Sequence, residues 1–178
     1  RILWTRGLVE IRRGRGTYVT SVGIDSASSD ISSLRAVENN AREMMEVRLF
    51  IEPSIAYYAA LRGTDEEFQR IDEYRLKVEE LINAGKNRTS AEQDFHNALA
   101  AATHNQFAMQ LMQVVNKSIY LEIKYHEKGT SLPIHSIPDH REIVNFLRRR
   151  NPEGAKTAMQ MHILHIIQSS QELDGQQK

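Results

Sequence analysis

Apolar residues recur at helical spacing along most of the chain, and capping or turn residues interrupt the pattern. Helices are predicted over residues 38–62, 64–84, 89–103 and 105–127, from Pro138 to the Asn151-Pro152 break, and from there to about residue 172. The residues from Thr64 to Glu67 form a capping-box pattern, and Gly85 suits a helix end. A stripe of Phe107, Leu111, Val115 and Ile119 marks the fourth helix. The fold is therefore predicted to be mainly α, an antiparallel bundle of about six helices over residues 37–173, with a tail at 174–178.

The first forty residues have a different pattern. Leu8–Arg12 and Thr17–Thr20 are rich in β-formers, and Arg13–Gly16 between them carries the glycines of a tight loop. Residues 1–20 therefore predict a β-hairpin that begins at the end of a helix. Residues 21–36 are rich in Ser, Asp and Gly and predict a linker.

Composition narrows the class of protein. The chain has no cysteine, so a disulfide framework and cysteine-rich zinc sites are excluded, and a reducing cytosol fits. It has no apolar run long enough to cross a membrane. The formal net charge is zero, yet residues 1–20 hold five arginines against one acidic residue, Glu10. A basic tip on a neutral-to-acidic body favours an anion-binding hairpin.

Three interpretations compete for the hairpin tip, which contains Arg12, Arg13, Arg15 and Gly16. The first is a solvated turn with incidental arginines. The second is a phosphate-binding loop of an enzyme, which lacks the helix start that such loops require. The third is the wing of a winged helix-turn-helix, where arginines reach DNA phosphates or the minor groove. The order of helix end, Gly7 and hairpin fits the third interpretation.

Four side chains could converge on a metal. Glu92 and His96 are four residues apart and share a helical face, while His140 and His162 each lie on the apolar stripe of a later helix. Three histidines and a carboxylate suit a borderline divalent ion. Spacing alone is a weak signal, because inward-facing histidines are more often held by core hydrogen bonds. Glu92 also completes a capping-box pattern that begins at Thr89.

Two further side chains are candidates for binding a small ligand. Arg48 lies on the apolar stripe of the first helix and is predicted to point inward. It either pairs with Glu52 at i,i+4, worth about 0.3–0.5 kcal/mol if exposed, or anchors a carboxylate of an effector through two parallel donors. Asn105 is either a member of the same pocket or a helix cap.

Several of these segments resemble one family. Arg6–Val19, with its Arg-Arg-Gly-Arg-Gly-Thr-Tyr-Val core, resembles the wing of GntR-family bacterial transcription regulators. The segments 46–52 and 59–64, with Phe95-His96, Asn105, His140 and His162, resemble the FCD effector-binding domain of the FadR subfamily. The resemblance implies that residues 1–6 end a recognition helix whose preceding segments are absent. Six helices rather than seven favour the smaller, VanR-like variant.

The resemblance also implies a ligand set. Metal-binding members use an acidic residue four positions before a histidine, that histidine and two later ones, which match Glu92, His96, His140 and His162. Zinc is the first expectation, with nickel or manganese as alternatives. The family usually has Asp where this chain has Glu92, while Asp94 falls on the opposite helical face. His104 and His165 are candidate substitutes, and His126 and His135 are expected to be exposed.

The predicted function follows from this combination. We expect a cytoplasmic, homodimeric transcription regulator that binds double-stranded operator DNA and contacts no membrane. Its helical domain would bind a divalent metal and a small carboxylate effector through the metal and Arg48, and it would catalyse no reaction. Two rival classes are an all-α metalloenzyme with a metal-activated water and a purely structural helical dimer.

Overall fold

The computed structural model describes residues 9–12, 16–19, 41–126 and 135–176. The chain divides into two units, residues 1–40 and residues 41–178. In the first unit, strands β1 (Val9–Arg12) and β2 (Gly16–Val19) pair antiparallel, with Val9 opposite Val19 and Arg12 opposite Gly16. The strands lie where the sequence predicts them. The predicted recognition-helix end, the hairpin tip at 13–15 and the linker at 21–36 lie outside the described residues.

The second unit consists of helices in the part that the structure describes. These are α1 (Ala41–Arg62), α2 (Asp65–Asn83), α3 (Thr89–Ala101), α4 (Gln106–His126), α5 (Ser136–Arg148) and α6 (Pro152–Gln176). Each corresponds to one predicted helix, although α6 runs into the predicted tail. Among the described residues, no helix is both long and apolar enough to span a bilayer.

Helix α1 is the central element of the second unit. It packs most extensively against α6 and also contacts α3, α4 and α5, while α2 packs on α3 and α5. Ala56, Ala59 and Ala60 on α1 are fully buried, and such small side chains let neighbouring helices approach closely. The predicted stripe of α6 is likewise buried and consists of Ala155, Ala158, Met159 and Ile166. Four helices therefore surround the middle of α1, which becomes the place where a site can be assembled.

Local capping explains where α2 begins and ends. The Thr64 side chain accepts from the Glu67 backbone N–H, and the Glu67 side chain accepts from the Thr64 backbone N–H, so the predicted capping box is confirmed. After the helix, Gly85 has a φ of +61°, a left-handed conformation that favours glycine. By contrast, the predicted capping box at Thr89 is wrong. Arg88 is the N-cap of α3 and makes no side-chain cap hydrogen bond.

The predicted apolar stripe of α4 is wrong in its first half. Val115 and Ile119 are buried, but Phe107 and Leu111 are 78% and 46% exposed. A step of four residues overshoots one helical turn by about 40°, so a stripe with only four-residue steps drifts around the helix. The observed core face combines steps of three and four residues and consists of Met112, Val115, Ile119 and Ile123.

The two capping assignments make a matched test. We expect Thr64→Ala to lower the free energy of unfolding by about 1 kcal/mol, because the substitution removes a side-chain cap from α2. Thr89→Ala should change it by well under half as much, since Thr89 lies inside α3 and caps nothing. Urea denaturation followed by circular dichroism measures both. Equal losses in the two variants would contradict this account of the helix starts.

Candidate metal centre

Three histidines from three helices meet in the core. His96 lies on α3, His140 on α5 and His162 on α6, and each is at most 2% exposed. One potential ligand atom from each lies within 4.8 Å of the other two. The Nε2 atoms of His140 and His162 are 3.3 Å apart. Two ligands about 2.0–2.1 Å from a tetrahedral Zn²⁺ lie about 3.3 Å from each other, so this spacing suits a shared metal.

Glu92 lies at the edge of this cluster. It is buried one turn before His96 on α3, and its Oε2 is 3.5 Å from His140 Nε2. Its Oε1 accepts from Arg88 Nε at 3.1 Å. Asp94, the alternative carboxylate, is exposed, as the helical phase predicts. The Glu92 carboxylate thus approaches His140 from a position one turn before His96.

Two of the three histidines, His140 and His162, are held in the form that binds a metal. Burial lowers the pKa of the His140 imidazole well below its ordinary value, and nearby positive charges, including Arg48 and Arg88, add to the effect. Burial also lowers the pKa of His162, although Asp139 opposes the shift. A neutral imidazole has a nitrogen lone pair to give to a metal, whereas a protonated one has none.

Hydrogen bonding points in the same direction. The Nδ1 atoms of His140 and His162 make no hydrogen bond to the residues that the structure describes. Two neutral imidazoles that face each other through Nε2 satisfy only one lone pair between them. A cation on the Nε2 side of His140 and His162 would accept an Nε2 lone pair from each ring at once, which a single hydrogen bond between the two nitrogens cannot do. The donor set of three buried imidazoles and one carboxylate therefore fits a divalent transition metal.

Two carboxylates approach the far sides of the rings. Glu52 Oε2 on α1 is 2.5 Å from His96 Nδ1, and Glu52 Oε1 accepts from Arg48 Nε at 2.5 Å. Burial alone would raise the pKa of Glu52, but Arg48 and His96 together hold it below its ordinary range. Asp139 Oδ2 on α5 is 3.6 Å from His162 Nδ1 and also accepts from His165 Nδ1 at 2.9 Å.

Arg48 points inward as predicted and is 1% exposed. It makes the ion pair with Glu52 that the sequence offered as the alternative to effector binding, and the pair is buried rather than exposed. The two arginines flank the cluster in parallel ways, because Arg88 pairs with Glu92 at the same i,i+4 spacing. Sequence analysis overlooked Arg88 and Asp139. Arg88 precedes a helix start, and Asp139 is brought to the histidines only by the packing of α6.

The other candidate residues lie elsewhere. Asn105 is exposed, and its Oδ1 accepts from the backbone N–H of Phe107 and Ala108, which makes it the cap of α4. Its part in effector binding stays a prediction. His104 is exposed and pairs with Glu67, and His165 is partly buried and pairs with Asp139, so neither belongs to the triad. His135 is exposed as expected, while the side chain of His126 lies outside the described part.

The predicted DNA-binding residues belong to the first unit. Arg12 and Gly16 form the last pair of the hairpin ladder, at the end that leads to the tip. Arg13 and Arg15 lie outside the described residues. The two strands beside the tip are paired, and the assignment of the tip to DNA contact stays a prediction.

Comparison with known proteins identifies the family. Residues 43–165 match the FCD domain. The chain is 30% identical over 177 residues to the Uxu operon transcriptional regulator of Escherichia coli strain K12, covering 94% of this chain and 68% of that protein. It is 29% identical to the HTH-type transcriptional regulator LutR of Bacillus subtilis strain 168, covering 90% of this chain and 76% of LutR.

Solved structures agree with these relatives. A GntR protein of Streptococcus agalactiae superposes with a TM-score of 0.64 at 32% identity, covering 95% of this chain and 78% of that one. The fold is also shared with Escherichia coli McbR/YncC, with a TM-score of 0.65 at 11% identity. The Uxu operon regulator and LutR are transcription regulators and not enzymes, so the metalloenzyme alternative is set aside. The chain belongs to the GntR family of transcription regulators and carries its FCD effector domain.

Proposed function

We propose that this chain is part of a cytoplasmic, homodimeric regulator that binds operator DNA and responds to a small organic acid through a metal in its helical domain. The observation that carries the proposal is the buried convergence of His96, His140 and His162 inside an FCD domain. Glu92 would be the fourth protein ligand. Zinc suits the imidazole-rich set, and nickel or manganese are alternatives. With four protein ligands in place, the ion would take up the effector by expanding its coordination beyond four.

The charges around the histidines favour an anionic effector. The buried arginines Arg48 and Arg88 are balanced by the buried carboxylates Glu52 and Glu92. A divalent ion held by neutral histidines adds two positive charges, and Asp139 near the surface offsets only one. Uncompensated charge in a core is costly. An organic carboxylate on the metal, close to Arg48, would remove this excess.

The basic hairpin would carry the response to DNA. Arg12, Arg13, Arg15 and Gly16 are the residues we assign to DNA contact, chiefly through phosphates. An effector with different affinities for two arrangements of the homodimer would shift their populations and change the spacing of the two hairpins on an operator.

The surface of α1 supports the homodimer. Val47, Phe50, Tyr58 and Leu61 are 37%, 73%, 43% and 55% exposed, and helical spacing puts them on one side of the helix. A row of exposed apolar side chains of this kind is typical of a protein contact. A second copy of the chain is the partner that the homodimeric proposal supplies.

Metal content tests the centre directly. We expect the purified protein to hold close to one divalent ion per chain, and His140→Ala to lose it and to lower the melting temperature, because a metal bound only by the folded state stabilises that state. Elemental analysis and thermal denaturation measure the two effects. His104→Asn is the matched control, since His104 is exposed and Asn tolerates its φ of +53°. Full metal content in the single alanine variants of His96, His140 and His162 would reject the site.

Screening of small mono-, di- and tricarboxylates tests the effector. The best compound should raise the melting temperature of the metal-loaded protein and alter its affinity for operator DNA. Arg48→Lys should weaken its binding about tenfold, because lysine lacks the planar pair of donors. Isothermal titration calorimetry measures this, with Arg75→Lys as control, since Arg75 pairs with Asp72 and Glu79. An unchanged affinity in Arg48→Lys would remove Arg48 from the effector site.

The hairpin assignment is tested in a protein that includes a complete DNA-binding domain. Arg15→Ala should weaken binding to operator and random duplexes alike and make its salt dependence shallower, because a phosphate contact releases counterions without reading sequence. Fluorescence anisotropy at several salt concentrations measures both quantities. A loss confined to the operator would instead assign Arg15 to base or groove reading. Unchanged binding would mean that the tip is a solvated turn.

A further inference from the structure

The two buried Arg–Glu pairs differ in which side of a histidine each carboxylate meets. Glu92 Oε2 approaches Nε2 of His140, the nitrogen that faces Nε2 of His162. Glu52 Oε2 approaches Nδ1 of His96 at 2.5 Å. The two ring nitrogens of an imidazole point in different directions, so a carboxylate on Nδ1 leaves Nε2 to the metal. The first carboxylate is placed as a ligand and the second is placed behind a ligand.

We infer that Glu52 is a positioning residue of the metal centre, and that Arg48 acts on the metal through it. This inference rests on the proposed metal site. Glu52 favours the tautomer of His96 with the proton on Nδ1 and the lone pair on Nε2, because its Oε2 lies 2.5 Å from Nδ1. A carboxylate on the second nitrogen also makes the imidazole a stronger donor to a metal.

Arg48 fixes Glu52 in turn. Its Nε donates to Glu52 Oε1, and both side chains are 1% exposed, so water does not compete for either oxygen. The two residues are one turn apart on α1, and a buried pair at this spacing leaves the carboxylate little rotational freedom. Helix α1 therefore shapes the site without contributing a ligand. Arg48, Glu52 and His96 form a continuous path from α1 to the ligating nitrogen on α3.

The three histidines are not held equally. His96 has a carboxylate at hydrogen-bond distance from Nδ1, and His162 has Asp139 at 3.6 Å, a carboxylate that His165 already engages at 2.9 Å. The Nδ1 of His140 makes no hydrogen bond to any described residue. His96 is thus the ligand most fixed before the metal arrives. Removing its support should affect metal affinity more than removing that of His162.

Cobalt titration of the metal-free protein, without any organic acid, tests the inference. Co²⁺ reports its geometry through visible absorption, and competition with Zn²⁺ extends the measurement to tight binding. We expect Glu52→Gln to weaken Co²⁺ binding 10- to 100-fold, the range typical of such supporting residues, and to change the absorption bands. Asp139→Asn should weaken it by a smaller factor. Asp72→Asn, which alters a carboxylate paired with Arg75 and Arg148, should leave the affinity unchanged.

A rescue variant separates positioning from mere folding. In Glu52→Gln the N–H groups of Arg48 and His96 compete for one amide oxygen as their acceptor. Adding Arg48→Met frees that oxygen for His96 Nδ1, so the double variant should regain part of the lost affinity. If Glu52→Gln does not fold, Glu52→Asp keeps the charge but withdraws it by one methylene, and it should weaken Co²⁺ binding several-fold.

The outcomes distinguish this inference from the proposed function. Wild-type affinity and spectrum in Glu52→Gln, or in Glu52→Asp if that variant must be used, would overturn the positioning role, while loss of Co²⁺ in His96→Ala would still support the metal site. Failure of the double variant to regain affinity would count against a lost contact with His96 Nδ1 as the cause of the weaker binding. Absence of Co²⁺ binding in the wild-type protein would overturn the metal site itself.

Discussion

The burial of four ionised side chains together with three imidazoles is the constraint on which the helical domain depends. Arg48, Glu52, Arg88 and Glu92 are at most 8% exposed. Removing each charge from water costs several kcal/mol, and only close pairing offsets that cost. The chain meets the requirement twice in the same way, with an arginine followed four residues later by a glutamate, so each ion pair spans one turn and needs no second element. What packing adds is the second contact of each carboxylate with a histidine of another helix.

This constraint makes the site both costly and specific. Breaking a buried ion pair by removing one partner typically costs about 3–5 kcal/mol, a large part of the stability of a domain. The hydrophobic residues around the cluster do not need those charges in order to pack. The polar cluster therefore reads as a functional element that the fold supports, rather than as a source of stability. The family to which the chain belongs gives that element a purpose, since its members are regulators with an effector domain.

The sequence was sufficient to predict which side chains face inward on each helix taken by itself. Helical phase placed His140 and His162 on buried stripes, put Glu92 and His96 on one face and turned Asp94 outward, and the structure agrees in each case. The prediction of the two strands beside the tip likewise depended only on residues close together in sequence. The errors at Thr89 and Phe107 have local causes as well. A capping pattern competes with the ion pair that Glu92 forms, and a four-residue stripe drifts around a helix.

The predictions that failed depend on which helices pack against each other. Spacing revealed that Arg48 and Glu52 can pair, but nothing in it revealed that the pair is buried, so its value was set at that of a surface ion pair. Asp139 adjoins His140 in sequence, and its spacing to the histidines of another helix gave no signal. Only the approach of α6 places His162 and His165 beside it. Second contacts of this kind join residues more than twenty positions apart, and periodicity carries no information about them.

The arrangement also bears on how a bound ligand would change the positions of helices beyond the site. The histidines come from α3, α5 and α6, and Glu52 brings in α1, the helix that all three contact. A metal would link three helices directly and the fourth through a carboxylate, so its binding free energy would act on their relative positions. An effector that changes the coordination of the metal would shift the same four helices. Because α1 begins directly after residues 1–40, it is the helix of this set through which such a shift would first reach the hairpin unit along the chain.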